Sequence, residues 1–249
     1  MSSQKRKTII MTRVLEQRAV DIKQLAAEMH VSEITVRRDL NELAKDGSVL
    51  RTHGGAIHVN DSPLFSFANK AAVHAAAKEA IARRAAAEIH DGDVVFLDCG
   101  STVFHLCTFL RWAKIQIITN YLPVVSALQE GQAQVNLIGG EVDRERQAVH
   151  GWMAGYHIQQ YRATKAFLGV DGISAAGLFA HSEKEATMTL SMAAHSKQRY
   201  LLCDADKIGW EHILRFAGLD LIDTVITNAK RKDCNFLKKA GVEVLHVEA

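Results

Sequence analysis

The sequence lacks any long apolar segment. No run of 18 uncharged apolar residues occurs in the 249-residue chain, so a membrane-spanning helix is not expected. The first ten residues, MSSQKRKTII, include basic side chains but are not followed by an apolar segment, and we expect no secretory signal there. Both absences favour a cytoplasmic protein with no membrane partner.

Cysteines are also few, and no CxxC pair occurs. The thiols are widely spaced in the chain, at Cys99, Cys107, Cys203 and Cys234. This distribution is typical of small core residues rather than of a disulfide framework or a zinc site. His105 and Cys107 fall on different sides of one predicted helix, so they are not expected to share a metal. We predict neither a metal nor a cofactor.

The charge is small but unevenly divided. The whole chain has a formal net charge of +2. Residues 1–60 contain 10 Lys+Arg and 7 Asp+Glu, a balance of +3, whereas residues 61–249 contain 20 and 21, a balance of −1. A small basic module attached to a near-neutral body suggests a polyanionic partner for the N-terminal part.

The N-terminal part has the pattern of three short helices and a hairpin. An apolar stripe marks a first helix at Ile10, Val14 and Leu15. A second helix, capped by Asp21, has its apolar positions at Ile22, Leu25, Ala26 and Met29. Ser32 caps a third helix that is predicted to end near Gly47. The segment VLRTHGGAIHV then predicts a hairpin around Gly54-Gly55. The order predicts a winged helix-turn-helix over residues 1–59.

The third helix carries a mixture of side chains that suits DNA bases. Val36, Leu40 and Leu43 are spaced to face a core, which leaves the opposite face to methyl, hydroxyl, amide and guanidinium groups. Arginine suits guanine or phosphate, asparagine suits adenine, and methyl groups suit thymine. A winged helix places this helix in the major groove of double-stranded operator DNA. The predicted DNA-binding residues are Ser32, Ile34, Thr35, Arg37, Arg38, Asn41 and, in the hairpin, Arg51 and His53.

Two other interpretations of this helix are open. Both arginines could solvate an ordinary surface helix and pair with Asp39 or Glu42. The turn, the helix cap and the basic hairpin occur in register, however, and this favours DNA reading. A winged helix that binds RNA or protein is the other alternative.

The rest of the chain predicts a larger α/β domain. Residues 60–68, NDSPLFSFA, have no periodicity and are predicted to be a linker, which includes Pro63. An alanine-rich helix follows, with one side formed by Val73, Ala77, Ile81 and Ala85. Seven apolar strands then alternate with helices: DVVFLDC, IQIITN, QVNLIGG, KAFLGVDG, RYLLCDA, DTVITN and VEVLHV. The alternation predicts a mostly parallel sheet, in a domain spanning residues 69–249.

Polar residues and glycines follow five of these strands. Ligands of open α/β sheets bind beyond the carboxyl ends of the strands, at a switch in strand order. After Gly100, Ser101 and Thr102 begin a helix whose free N–H groups attract an anion. Lys207 can pair with a phosphate, and Asp171 can accept from sugar hydroxyls. The other predicted contacts at strand ends are Thr119, Asn120, Gly139 and Gly140. Together they favour a phosphorylated polyol or sugar as the effector.

The two parts together resemble the DeoR family of bacterial transcriptional regulators. The N-terminal resemblance rests on RTHGGA as a wing and on Arg6, Ile10, Val14, Ser32, Thr35, Val36, Arg37, Arg38, Asp39 and Leu40. It implies a sensor domain similar in fold to ribose-5-phosphate isomerase that binds phosphorylated sugar-pathway intermediates. The family's polar positions correspond to Asp98, Gly100, Ser101, Thr102, Glu185 and Lys207. The chain departs from the family at Asp206, where a small hydroxyl residue is usual, and at Trp210 and His212. A carboxylate at Asp206 weakens phosphate binding unless it points away.

We therefore predict a DNA-binding transcriptional repressor of a carbohydrate-utilisation operon, controlled by a phosphorylated sugar, and not an enzyme. The alternative is an isomerase-like enzyme with an accessory DNA-binding domain. No catalytic residue is assigned, and the G-x-S-x-G elbow of a hydrolase is absent. A homo-oligomer is expected because one winged helix contacts only a short half-site. The alanine-rich helix is a candidate for its interface.

Overall fold

The computed structural model describes residues 3–17, 19–45, 48–52, 54–58 and 73–248. The chain divides into two compact units, with the boundary in the sequence between Val73 and His74. The predicted linker at residues 60–68 and the side chain of His53 lie outside the described residues. The domain boundaries at residues 59 and 68 therefore stay predictions.

The first unit is a winged helix-turn-helix. Its elements are α1 (Ser3–Gln17), β1 (Ala19–Asp21), α2 (Ile22–Met29), α3 (Glu33–Lys45), β2 (Val49–Arg51) and β3 (Gly55–His58). The three strands form one antiparallel sheet in the order β1-β3-β2. The hairpin around Gly54-Gly55 is confirmed, whereas β1 was missed because three residues are too short to show a period.

The helix signals in the sequence form as predicted. The Asp21 carboxylate accepts from the backbone N–H groups of Lys23 and Gln24, at 2.8 and 3.1 Å, and so caps α2. His30, with φ 53°, ends that helix in the left-handed conformation. The apolar core of the unit includes Ile10, Val14, Ile22, Leu25, Val36, Leu40 and Leu43. Leu15 was predicted to join the stripe of α1, but its side chain is 56% exposed, so that assignment is wrong.

Gly55 is required where the wing approaches β1. A Cβ atom on Gly55 would lie 1.8 Å from the carbonyl oxygen of Val20. On the neighbouring Gly54 a Cβ would make only an ordinary contact, 3.6 Å from the Asp21 carboxylate. The Gly-Gly pair therefore has two functions: Gly54 lies in the turn, and Gly55 lets β3 pair closely with β1.

The second unit is built on a seven-stranded sheet. Its strands are β4 (Val94–Leu97), β5 (Gln116–Thr119), β6 (Gln134–Leu137), β7 (Glu141–Asp143), β8 (Ala148–His150), β9 (Ala163–Leu168), β10 (Gly172–Ser174), β11 (Gly177–Ala180), β12 (Ser196–Leu202), β13 (Leu214–Ala217), β14 (Thr224–Thr227) and β15 (Glu243–His246). The large sheet has the order β15-β14-β12-β9-β4-β5-β6, and every neighbouring pair is parallel. All seven predicted strands are in it, and the predicted α/β fold class is confirmed.

The shorter strands form two antiparallel additions that were not predicted: a β7-β8 hairpin and a β10-β11-β13 sheet. The helices are α4 (Ala75–Ala86), α5 (Ser101–Phe104), α6 (Cys107–Leu110), α7 (Leu122–Leu128), α8 (Trp152–Gln159), α9 (Glu183–Ala194) and α10 (Asn235–Lys239). Among the described residues, no helix is both long and apolar enough to cross a membrane.

The alanine-rich helix α4 packs within its own unit. Ala77, Ile81 and Ala85 are buried, as predicted. Val73 precedes the helix and is 55% exposed, so its assignment to the apolar side is wrong. The apolar face of α4 is thus already covered, and α4 contacts β12 and β14.

Candidate functional site

The outward face of α3 carries most of the residues predicted to read DNA. Ser32 caps the helix, since its hydroxyl accepts from the N–H of Thr35 at 3.3 Å. The hydroxyl groups of Ser32 and Thr35 lie 3.0 Å apart and are hydrogen bonded to each other. Ile34 is 79% exposed. Arg37, Arg38 and Asn41 are exposed as well.

The acidic neighbours of these arginines are engaged elsewhere. Asp39 is fully buried and forms a bidentate pair with Arg6, at 2.5 and 3.0 Å, and Ser3 also donates to it. Glu42 pairs with Lys7 at 2.6 Å. The alternative in which both arginines pair with Asp39 or Glu42 is therefore wrong. Within the described ranges, no carboxylate lies within 4 Å of the Arg38 guanidinium.

On the wing, the guanidinium group of Arg51 adds to the positive charge of the α3 arginines. Arg51 donates one N–H to the carbonyl oxygen of Gly55, so part of its side chain stabilises the turn of the wing. Burial lowers the pKa of Arg51, and the charge of Arg37 lowers it further. Arg37 has only a loose pair with Glu33, at 3.6 Å. Two neighbouring guanidinium groups with little acidic compensation form a place that attracts a phosphate.

In the second unit, the strand order switches beside β4. The chain runs from β4 to β5 and β6 on one side and then returns to β9 on the other side. The carboxyl ends of β4 and β9 therefore border the crevice where ligands of such sheets bind. Gly100 and Gly169 meet there, since a Cβ on either glycine would lie 3.6 Å from the Cα of the other.

Asp98 lies buried at the base of this crevice. Its buried carboxylate accepts from the N–H of Cys99 at 2.7 Å, from the N–H of Gly169 at 3.2 Å and from the Thr189 hydroxyl at 2.7 Å. Burial raises the pKa of Asp98, although the three hydrogen bonds act in the opposite direction. The residue joins the ends of β4 and β9 to α9, which is a structural role.

Two other predicted contacts, Thr119 and Asn120, differ in how far their side chains are hydrogen bonded within the protein. The Thr119 hydroxyl donates to the Leu97 carbonyl at 2.7 Å and accepts from the N–H of Tyr121 at 3.1 Å, so it closes the strand ends. The Asn120 amide donates to the Val149 carbonyl at 3.1 Å. Its carbonyl oxygen is buried and has no partner among the described residues.

The turn after Gly100 is short. Helix α5 has only four residues, with Ser101 partly buried at its start. The Thr102 hydroxyl is buried and, within the part of the chain that is described, has no hydrogen-bond partner. Buried polar groups in native proteins rarely stay unpaired.

Lys207 reaches the same end of β9. It lies in a single 3-10 turn, Ala205–Lys207, and its ammonium group donates to the Val170 carbonyl at 2.6 Å. The carboxylate of Asp206 pairs with His74 at 2.8 Å and is 67% exposed, so its preferred partner is not Lys207. Asp171 accepts from the N–H of His181 at 2.9 Å.

Four residues near the crevice were not predicted: Cys99, Tyr121, Arg146 and His150. Glu185, which was predicted, pairs with Arg146 at 2.8 Å. Burial raises the pKa of Cys99 and Tyr121 and lowers that of His150, and the charge of Arg146 makes a smaller contribution to all three. The charged run DRERQAVHG after the third strand was the available signal.

His150 has the most unusual environment of these residues. It is 1% exposed, and neither ring nitrogen has a hydrogen-bond partner within the described segments. Its lowered pKa keeps the imidazole neutral, with one donor and one acceptor. The backbone of the preceding Val149 is hydrogen bonded to Asn120 in both directions.

The glycines Gly139 and Gly140 lie apart from the switch. They follow β6, which is an edge strand of the large sheet. A Cβ on Gly140, whose φ is +154°, would lie 2.6 Å from the His150 carbonyl, so this glycine permits a close backbone approach. Both glycines, and His150 with them, line a different cavity of about 690 Å³ beside α8. Across the residues described, no group of three or more His, Cys, Asp or Glu side chains could hold a metal ion.

Comparison with known proteins identifies the two parts of the chain. Residues 6–62 match the DeoR-like helix-turn-helix domain, and residues 73–229 match the DeoR C terminal sensor domain. The transcriptional repressor GlcR of Bacillus subtilis is 29% identical over 100% of this chain and 98% of its own. A putative aga operon repressor of Escherichia coli O157:H7 is 31% identical over 99% and 94%. The lactose phosphotransferase system repressor of Streptococcus mutans is 30% identical over 89% and 91%.

Among solved structures, ribose 5 phosphate isomerase A from Neisseria gonorrhoeae is similar over 55% of this chain and 54% of its own. The identity is 13% and the TM-score 0.40, a likeness that says nothing about activity. The domain matches and the relatives favour the regulator over the isomerase alternative. The chain belongs to the DeoR family of DNA-binding transcriptional regulators, with a helix-turn-helix unit followed by a sensor unit.

Proposed function

We propose that this protein represses a carbohydrate-utilisation operon and is released from its operator by a phosphorylated sugar. The observation that carries the DNA-binding part is the outward face of α3. Its Arg38 and Asn41 are exposed, and the neighbouring Asp39 carboxylate is buried in an ion pair with Arg6. A guanidinium and an amide presented in this way can each make two hydrogen bonds to a purine edge.

The proposed DNA contacts are of two kinds, those to bases and those to phosphates. Ile34, Thr35, Arg38 and Asn41 read base edges in the major groove. Ser32 supports the helix start, and Arg37 with Arg51 holds the phosphate backbone, where their mutual repulsion is relieved. His53 lies outside the described residues, and its contact with DNA stays a prediction. The phosphate contacts supply affinity, and the base contacts supply sequence preference.

The proposed effector site is the crevice between the ends of β4 and β9. Lys207 supplies the cation, since no carboxylate among the described residues lies within 4 Å of its ammonium group. The N–H groups that begin at Ser101 add donors for the same phosphate. On this proposal, sugar hydroxyls pair with the otherwise unpaired side-chain atoms of Thr102 and Asn120. Asp98 and Thr119 hold the crevice in shape.

Glu185 and Arg146 form the proposed rim of this site. Their ion pair, with 2.8 Å between Arg146 Nε and Glu185 Oε1, fixes the guanidinium group in place. A guanidinium fixed in this way can donate to a sugar hydroxyl or an anionic group. Asp171 stays a candidate for hydroxyl contact through the oxygen that His181 does not use.

The relatives support a sugar-linked role, because their names refer to lactose phosphotransferase and aga operon repression. On this proposal the protein is not an enzyme and acts in the cytoplasm, where its DNA lies. It works as a homo-oligomer, since paired half-sites require paired reading helices.

The test is operator binding by the full chain. DNA fragments are selected from the source genome with the parent protein, and affinity for the selected site is then measured by fluorescence anisotropy at fixed salt. Arg38→Ala should weaken binding by roughly 1–3 kcal/mol. The matched control is Arg83→Ala, an exposed arginine of α4, which should bind like the parent. Equal affinity of Arg38→Ala and the parent would remove the recognition-helix assignment.

A further inference from the structure

Helix α8 exposes an aromatic surface that the proposed function does not use. Trp152 is 78% exposed, Met153 55% and Tyr156 52%. The Trp152 and Tyr156 rings stack on each other, with centroids 5.7 Å apart and planes inclined by 14°. Tryptophan is mostly buried in folded proteins, and contiguous exposed apolar groups mark interaction surfaces.

The shape around these rings is a ridge between two grooves. One groove, of about 690 Å³, lies between the ridge and the Gly139-Gly140 turn. The other, of about 390 Å³, lies between the ridge and α9. Gly155 lines the second groove, and a Cβ at that position would meet no atom within 4 Å. A ridge flanked by grooves fits a second copy of itself when a twofold axis places each ridge in a groove of the other copy.

The charges around the ridge are also self-complementary. Glu141 and Lys184 border the two grooves, lie 3.5 Å apart and are 70% and 55% exposed. A twofold axis that passes between Glu141 and Lys184 brings Lys184 of one copy opposite Glu141 of the other, twice in each interface. A partner with charge of one sign would match only one of these two residues.

We propose that this surface, the α8 face formed by Trp152, Met153 and Tyr156 with Glu141 and Lys184 at its rim, is where two copies of the chain pair. The inference rests on the proposed function only in that repressors reading paired half-sites need a symmetric partner. The alternative interface, helix α4, has its apolar face covered within its own unit.

The test is the oligomeric state of the full chain without DNA, by sedimentation velocity at micromolar concentration. The parent should be dimeric or larger. The double variant Trp152→Ala/Tyr156→Ala should dissociate, with a dimer Kd raised on the order of a hundredfold. Trp210→Ala is the matched control, because Trp210 is 62% exposed in the same unit but lies outside the α8 face.

A charge exchange tests the symmetry itself and leaves the aromatic ridge intact. Lys184→Glu alone and Glu141→Lys alone should each weaken self-association, since like charges then meet twice. An equimolar mixture of the two variants should associate again, because each opposed pair regains opposite signs. This rescue is not expected if the two residues matter only within one chain.

Three outcomes would overturn the proposal: a monomeric parent, a double variant that stays paired, or equal loss of pairing in Trp210→Ala. None of them depends on operator binding. A failure of the proposed function would instead appear as unchanged DNA affinity in Arg38→Ala, with the sedimentation result unaffected.

Discussion

The outward face of α3 and the carboxyl ends of the large sheet differ in how their polar residues are used. On α3, Arg38 and Asn41 project from the helix, and the nearby carboxylate of Asp39 is buried against Arg6. At the strand ends, Asp98 and Thr119 are buried and hydrogen bonded within the protein. The sequence marked residues of both regions as candidate contacts.

The difference has a physical origin. A helix has one buried stripe, so a polar residue on its other side meets solvent or a partner. A parallel strand that ends inside a domain leaves backbone groups that need partners, and polar side chains supply them. Polar residues at strand ends therefore have two functions, and only those with unpaired atoms, such as Asn120, are available to a ligand.

The largest expected effect is on the stability of the first unit. It would show that the buried charge of Asp39 stabilises the fold. Asp39→Asn leaves the Arg6 guanidinium without its carboxylate and should destabilise that unit by about 3–5 kcal/mol. Urea unfolding followed by circular dichroism measures this, with Glu42→Gln as the control at an exposed pair. A loss below about 1 kcal/mol would mean that the pair is not needed for the fold.

The same pair predicts the response to acid. Burial alone would raise the pKa of Asp39, but the hydrogen bonds from Arg6 and Ser3 outweigh it and the pKa is lowered. The stabilisation is therefore present above the ordinary aspartate pKa of 3.8 and is lost as the pH falls through the lower, folded-state value. Asp39→Asn should abolish this part of the acid sensitivity.

A second prediction concerns the cation at the strand ends. Lys207→Met should weaken binding of a phosphorylated sugar by roughly 1.5–3 kcal/mol, since it removes a charged donor. It should leave operator affinity unchanged, because the reading helix is in the other unit. Calorimetric titration measures the first quantity, with Lys197→Met on the opposite end of β12 as control. Equal affinities in all three proteins would place the phosphate elsewhere.

A smaller effect separates the two uses of strand-end residues. Thr119→Val removes the partner of the Leu97 carbonyl and the Tyr121 N–H, and should cost about 1–2 kcal/mol of stability. Ser101→Ala, at the start of α5, should change stability by less than about 0.5 kcal/mol and act on effector affinity instead. Thermal unfolding with and without ligand distinguishes the two. A loss of stability in Ser101→Ala, with a loss of effector affinity in Thr119→Val, would exchange the roles proposed for the two residues.

Periodicity and turn chemistry were sufficient to predict the large elements. The stripe of α2, the Asp21 cap and all seven strands of the large sheet could be predicted because each depends on neighbours in the sequence. The Arg6–Asp39 pair and the approach of Gly55 to Val20 join distant residues and have no local pattern.

Prediction of the effector crevice from the sequence is limited in the same way. Lys207 could be predicted because it follows a strand. Arg146 and His150 could not, because they come from a hairpin that folds back toward Asn120 and carries no signal of its own beyond its charge. Strand order, which decides that β4 and β9 border the crevice, is a property of the whole sheet.

The most direct test of the central claim is an anisotropy titration of the parent protein bound to its selected operator. Glucose 6-phosphate, fructose 1-phosphate, galactosamine 6-phosphate and the corresponding free sugars are added in turn at constant ionic strength. A phosphorylated sugar should release the operator, and its free sugar should not. Release by free sugars as effective as that by their phosphates, or no response to any phosphorylated sugar, would contradict control by a phosphorylated effector.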